Sequence, residues 1–277
     1  MKKNWIAACM TAVCALALVT GCSSETDEPD GIEYDAGKWL IEGRTVLRYT
    51  GTETDVQVPD GVTVIGKHAF ASRTKVAQVT LPDSVAVIED YAFSGCTGLA
   101  DVNLPESVAM IGWYAFSGCE SLTGVTIPAK VTAIGQNAFQ NCTSLADVQI
   151  PGGVEVIGDS ASRGCGNLTS VTIPASVETI GDSAFYECDG LTEVTIPDGV
   201  TEIGAQAFSS CSKLTTVAIP ASVESIGYDA FYCSSLTDVT YGGTQAQWDK
   251  IDKSWEIFPS RIRTITGKDD VKINVGD

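Results

Sequence analysis

A proline returns every 23 residues in this chain. Pro59, Pro82, Pro105, Pro128, Pro151, Pro174, Pro197 and Pro220 keep that step throughout, each preceded by Val, Leu or Ile. Ile65, Ile88, Ile111, Ile134, Ile157, Ile180, Ile203 and Ile226 form a second column, each followed by Gly except Ile88, which precedes Glu89. A third column holds Phe70, Phe93, Phe116, Phe139, Phe185, Phe208 and Phe231, interrupted by Ser162. Self-similarity at a fixed period of this size marks a solenoid, whose units cannot bury their apolar faces alone. The inward side chains of one unit do not offset the entropy of ordering its backbone. Several copies must therefore stack, and both ends of the stack need covers.

One unit, Leu168 to Cys188, divides into three pieces. "LTSVTIP" places Leu168, Val171 and Ile173 inward, is rich in β-branched residues, and ends at Pro174, which has no N–H for a ladder. It reads as a strand. "SVETIG" is a second extended piece with Val177 and Ile180 inward and a bend at Gly181. "DSAFYEC" is expected to form a tight helical turn that drops Ala184, Phe185 and Cys188 into the core.

Leu168-x-x-Val171-x-Ile173 is similar to the L-x-x-L-x-L core of leucine-rich repeats. The full unit, "LTSVTIPASVETIGDSAFYEC", resembles the BspA-like leucine-rich repeat of bacterial cell-surface proteins, and the resemblance runs from about Val56 to Tyr241. Arg73 takes the first Cys position, Ser162 takes one Phe position, and the last copy, "FYCSSL", is one residue short. The resemblance implies a mainly β solenoid of parallel strands, about eight 23-residue repeats with short helical turns and capping hairpins or a helix. It also implies a non-enzymatic binding or adhesion role towards host or bacterial surface proteins, with no cofactor.

The termini frame that array. Lys2 and Lys3 precede a short apolar run, Ile6 to Val19, too short to span a bilayer but of the length of a secretory signal core. Val19-Thr20-Gly21-Cys22 resembles a bacterial lipobox, in which Cys22 becomes the lipidated first residue. The expected organisation is a signal peptide over 1–21, an acidic tether over 22–31, an N-terminal cap over 32–55, the solenoid over 56–241 and a C-terminal cap over 242–277. "KWLIEGRTVLRYTG" reads as a hairpin turning at Glu42-Gly43. Thr244-x-x-Gln247 is a capping box, with Trp248, Ile251, Trp255 and Phe258 following at near-helical spacing, and "RIRTITGKDDVKINV" reads as a closing hairpin. The expected location is the outer membrane or cell surface, with the membrane touched only through the lipid.

Net charge is −18, and loss of Lys2 and Lys3 with the signal peptide takes it to −20. Such a chain is repelled by nucleic-acid phosphates, which excludes nucleic acid as a partner. An extracellular protein or a glycan remains. Thr126, Thr172 and Thr195 lie in an outward strand column of small polar residues suited to either ligand. His68, Tyr91 and Tyr114 share one outward column, with Trp113 beside Tyr114. They either anchor a partner, sugar rings included, or stack on one another beneath the N-terminal cap.

His68 is the only histidine, so zinc sites and Ser/His or Cys/His catalysis lack their usual parts. Seven cysteines, Cys96, Cys119, Cys142, Cys165, Cys188, Cys211 and Cys233, form one column without a C-x-x-C. Buried free thiols are the expected state, with scattered disulfides or metal as alternatives. Two further readings stay open: a carboxylate pair among Asp101, Asp147, Glu193 and Asp238, and calcium at Asp90, Asp159 and Asp182.

Overall fold

A computed structural model of the protein describes residues 34, 35, 37–253 and 256–275. The expected signal peptide, Cys22, the tether and Trp255 lie outside the described residues. The chain winds as a parallel β-solenoid of about ten turns of roughly 23 residues, the caps included, with almost no helix. Each regular turn lays down a three-residue strand before its proline and a two-residue strand at its isoleucine, as in Gln78–Thr80 and Val87–Ile88. The middle residue of the first strand and the Ile of the second are buried. Val56 aligns with Val79 and Val79 with Val102, while Ile65 aligns with Ile88 and Ile88 with Ile111. The sequence period is thus the sheet register, and the proline carbonyl turns the corner by accepting an N–H three residues on (Val85 to Pro82, 3.0 Å).

The piece expected to be a helical turn differs. Over Asp182–Cys188 the backbone makes successive i→i+3 turns, Tyr186 N–H to Ser183 O (3.0 Å) and Cys188 N–H to Phe185 O (3.4 Å). Ser183 and Glu187 lie in the left-handed region, φ 56° and 58°. A helix would consume its N–H groups internally. Here alternate N–H groups point along the solenoid instead, Ser183 to Ala205 O (2.7 Å) and Phe185 to Ala207 O (2.8 Å), so the turn becomes a third inter-turn ladder.

Phenylalanine rings fill the interior between these ladders. Phe93 stacks on Phe70 at 4.8 Å and on Phe116 at 5.1 Å, Phe116 on Phe139 at 5.5 Å, and Phe208 on Phe185 and Phe231 at 5.1 and 5.5 Å. Ser162, buried, leaves the stack without a ring between Phe139 and Phe185. The unit that follows does not form the strand expected in "LTSVTIP": Ser170, Val171 and Thr172 are unpaired, and Val171 is half-buried where other turns bury a Val. A second interruption separates Asp101–Asn103 from Gly124–Thr126 and Met110–Ile111 from Ala133–Ile134. The turn ladder bridges it, through Tyr114 N–H to Gln136 O (3.0 Å) and Phe116 N–H to Ala138 O (2.8 Å).

Both ends extend the ring stack. Strand β1 (Trp39–Glu42) pairs antiparallel with β2 (Thr45–Tyr49) about Gly43, whose φ of 56° suits glycine, and β2 adds in parallel to Val64–Ile65. Trp39 and Tyr49 pack on Phe70 at 5.8 and 5.2 Å. At the other end Phe258 stacks on Phe231 at 5.8 Å, and Trp248 lies 6.2 Å from Phe258. The C-terminal helix is one turn, Gln245–Trp248, with the Thr244 N–H on Gln247 Oε1 (3.0 Å). It stops short because Asp252–Lys253 pair in parallel with Ser225–Ile226. Thr264–Thr266 and Lys272–Asn274 then close the array as an antiparallel hairpin.

Two expectations follow from this packing. Phe208→Ala, which removes a ring stacked on both sides, should cost about 3–5 kcal/mol, whereas Ser162→Ala should stay within about 1 kcal/mol; urea denaturation of each variant gives the comparison, and equal costs would refute the stack as the source of stability. In the N-terminal cap, Glu53 accepts hydrogen bonds from Lys38 and from Tyr49, which pull its carboxyl down to about 2, the Lys38 contact first. A lowered folded value means the carboxylate's contribution is whole above its unfolded value near 4.5 and is lost as pH falls towards 2. Relative to the intrinsic exchange rate at each pH, the protection of amides in β1 and β2 should fall over that window, and Glu53→Gln should remove that fall.

Candidate binding faces

The three-residue strands expose two outward columns. One runs through Asp55, Gln78, Asp101, Gly124, Asp147, Ser170, Glu193, Thr216 and Asp238, the other through Gln57, Thr80, Asn103, Thr126, Gln149, Thr172, Thr195, Ala218 and Thr240. Neither contains a Lys or Arg. Thr126 sits on Gly124–Thr126 and aligns with Gln149, and Thr195 sits on Glu193–Thr195 and aligns with Ala218. Thr172 is exposed but belongs to the unpaired segment. Side-chain amides on this face lean on its carboxylates, Gln78 Nε2 to Asp101 Oδ2 (3.1 Å) and Gln149 Nε2 to Asp147 Oδ2 (2.7 Å). Asp101, Asp147 and Glu193 are each two ladder steps apart, roughly 10 Å. The face is a long array of hydrogen-bond acceptors and hydroxyls with one sign of charge.

The aromatic column has a backbone cause that spacing alone does not disclose. His68, Tyr91, Tyr114, Asn137, Ser160, Ser183, Gln206 and Asp229 all take φ between 54° and 59°, the left-handed region that non-glycine residues enter at a cost. The inter-turn bonds donated from these positions, such as Tyr91 N–H to Trp113 O (2.9 Å), offset that cost. The structure brings three of the four aromatic candidates together: His68 stacks on Tyr91 at 4.8 Å and 20°, and Tyr91 on Tyr114 at 4.7 Å and 5°. Stacking therefore covers Tyr91 on both faces, and His68 and Tyr114 on one face each. Trp113, 37% exposed, stands outside it. Tyr228 and Tyr232 are also exposed, and sequence reasoning passed over both. The available signal was Tyr228's place in Trp113's column, five repeats on.

The parallel register and this turn geometry agree with what known proteins show. The model for the BspA type leucine-rich repeat region matches six copies, over residues 44–169 and 155–272. The chain belongs to that family. A leucine-rich repeat protein of T. pallidum (TpLRR) is 34% identical, with 66% of this chain and 90% of that one covered at a TM-score of 0.59. A leucine-rich repeat protein from Bacteroides ovatus is 24% identical, with 83% and 67% covered at a TM-score of 0.58, a likeness of fold. No curated protein matches the sequence.

Within this BspA-type solenoid the remaining candidates serve the coil itself. Asp90, Asp159 and Asp182 each accept a backbone N–H from the next turn: Trp113 (3.0 Å), Asp182 (2.9 Å) and Ala205 (2.7 Å). Among the described residues no group of three or more His, Cys, Asp or Glu is placed to hold a metal ion. All seven cysteines of the column are free and buried. Each thiol donates to the carbonyl of the residue in the preceding turn's Phe position, at 2.9 to 3.3 Å, as from Cys142 to Phe116 (3.1 Å). Burial pushes the Cys96 thiol up to about 11 and the Cys165 thiol up to about 12. Protein lacking Cys22 should thus be inert to a thiol-exchange reagent at pH 8 and release seven reactive thiols in denaturant, where rapid native labelling would contradict the burial.

Proposed function

We propose that this BspA-type leucine-rich repeat protein is a lipid-anchored, non-enzymatic cell-surface binding protein that takes a protein partner along its strand face. The observation that carries this reading is the pair of outward columns without a basic residue, repeated over nine turns and about 40 Å long in all. That length accommodates the roughly 800 Å² per partner of an ordinary specific interface. A run of carboxylates, amides and hydroxyls favours a partner that presents Lys, Arg and backbone N–H groups. Family membership and the likeness to TpLRR support a repeat surface of this kind. The lipobox-like segment ending at Cys22 supports the surface location. Glycan capture on the aromatic column has less behind it, because stacking takes both faces of Tyr91 and one face each of His68 and Tyr114.

The test uses soluble residues 24–277 on immobilised matrix proteins and a glycan array. Saturable binding to a protein is expected, weakening roughly tenfold between low and high salt. Asp147→Lys with Glu193→Lys should cut affinity by about tenfold or more, while Trp113→Ala changes it by less than about twofold. Binding to glycans alone, lost on Trp113→Ala, would replace the protein-partner reading. Silence on both surfaces would remove it.

A further inference from the structure

The molecule's charge is spread unevenly along its axis. Residues 76–253 hold 21 acidic and five basic residues, whereas both ends are close to balanced: residues 34–75, the N-terminal hairpin and first turn, hold five acidic and six basic, and residues 256–275 hold three acidic and four basic. Exposed leucine is confined to the same end: Leu40 is 55% exposed and Leu47 38%, the two leucines among the exposed large apolar side chains of the described residues. Alternation in β1 turns Trp39 and Ile41 to the core and Leu40 and Glu42 outward, the one carboxylate among the two arginines of this face. A register shift between Leu40 and Ile41 lets β2 present Leu47 and Arg48 outward in succession, with Arg48 directly opposite Leu40. Arg44, also exposed, lies at the hairpin turn. Among the described strands β1 pairs only with β2, so the hairpin is the end of the stack.

The chain enters this hairpin from Cys22. Eleven residues lie between Cys22 and Tyr34, an extended span of at most about 40 Å. We propose that the outward face of the N-terminal hairpin, Leu40 and Leu47 flanked by Arg44 and Arg48, seats on an anionic lipid surface. The placement beside the bilayer rests on the lipid-anchor reading above, and it adds a second membrane contact where the sequence pointed to the lipid alone. Leucines at the bilayer boundary with arginines at the headgroups make an interfacial contact, which becomes stable when joined to a covalent anchor. The acidic body is repelled by the same surface. The seat and the repulsion act together, setting the solenoid hairpin-down with its strand face clear of the membrane.

The experiment couples protein beginning at Cys22 to a maleimide lipid; the seven buried thiols leave Cys22 as the reactive one. Amide exchange in β1 and β2 is compared on vesicles of phosphatidylglycerol and phosphatidylcholine, on phosphatidylcholine alone, and in solution. Slowing of about tenfold or more is expected only on the anionic vesicles, and it should vanish in high salt. It should also vanish in Leu40→Ser with Leu47→Ser and in Arg44→Gln with Arg48→Gln. These four side chains are exposed, and unchanged exchange at Val79 and Val102 verifies that each variant is folded. Equal exchange on anionic vesicles and in solution overturns the proposal. So does slowing in solution that grows with protein concentration and disappears in the leucine variant, which would make the hairpin a self-association face. Because the anchor is supplied chemically, acylation of Cys22 in cells is a separate measurement: its absence would end the lipoprotein reading without touching the vesicle result.

Discussion

Everything in this molecule hangs on one constraint: each turn must hand its backbone N–H and C=O groups to the next turn in the same register. Turns of 23 residues have no helix in which to satisfy those groups, and a buried amide without a partner is costly. Three ladders solve the problem, one on each strand face and one through the chain of turns. The third forces a residue of every regular repeat into the left-handed region at the His68 column, and a second at Ser72, Gly95, Gly118, Asn141, Gly164, Glu187 and Ser210. The short last copy lacks that second position, and there Cys233 N–H falls back on Phe231 O at 2.8 Å.

That constraint separates the residues that build from those free to bind. Phe, Ile, Val, Leu and Cys columns lie inside, and the Asp90, Asp159 and Asp182 carboxylates belong to the ladder although they sit at the surface. What remains variable is the outward strand columns, the exposed aromatics and the terminal hairpin. Variation there has a pattern: near charge balance at both ends, acid along the body, and exposed leucine at the N-terminal hairpin. A solenoid allows such a pattern because each turn contacts only its neighbours, so surface changes in one turn do not disturb another.

Ser162 shows that a departure from the pattern stays local. Its unit lacks the ring yet keeps the turn ladder, Ser162 N–H to Ala184 O at 2.8 Å, and the paired strand Asp147–Gln149. The unit after it lacks the paired strand, while Glu193–Thr195 beyond it pairs again with its own neighbour. Sequence columns disclosed the missing ring but not the missing strand, because "LTSVTIP" carries a good strand pattern.

Period, inward columns and the need for caps were legible in the residues alone, because a solenoid's register is its sequence period and apolar alternation decides which side is buried. The hairpin at Gly43 and the start of the helix after Thr244 were legible from local signals, but the helix ends at Trp248 where the spacing pointed on to Phe258. Only the tertiary structure decided how the turn segment is wound, since a left-handed residue is worth its strain only when the adjoining turn supplies an acceptor. It alone revealed that His68, Tyr91 and Tyr114 stack on one another, that the aspartates cap neighbouring amides, and that Leu40 and Leu47 share an outward face with Arg48. Those outcomes depend on distances between residues 23 or more positions apart, and on one bulge in β2, at Leu47, which no local pattern encodes.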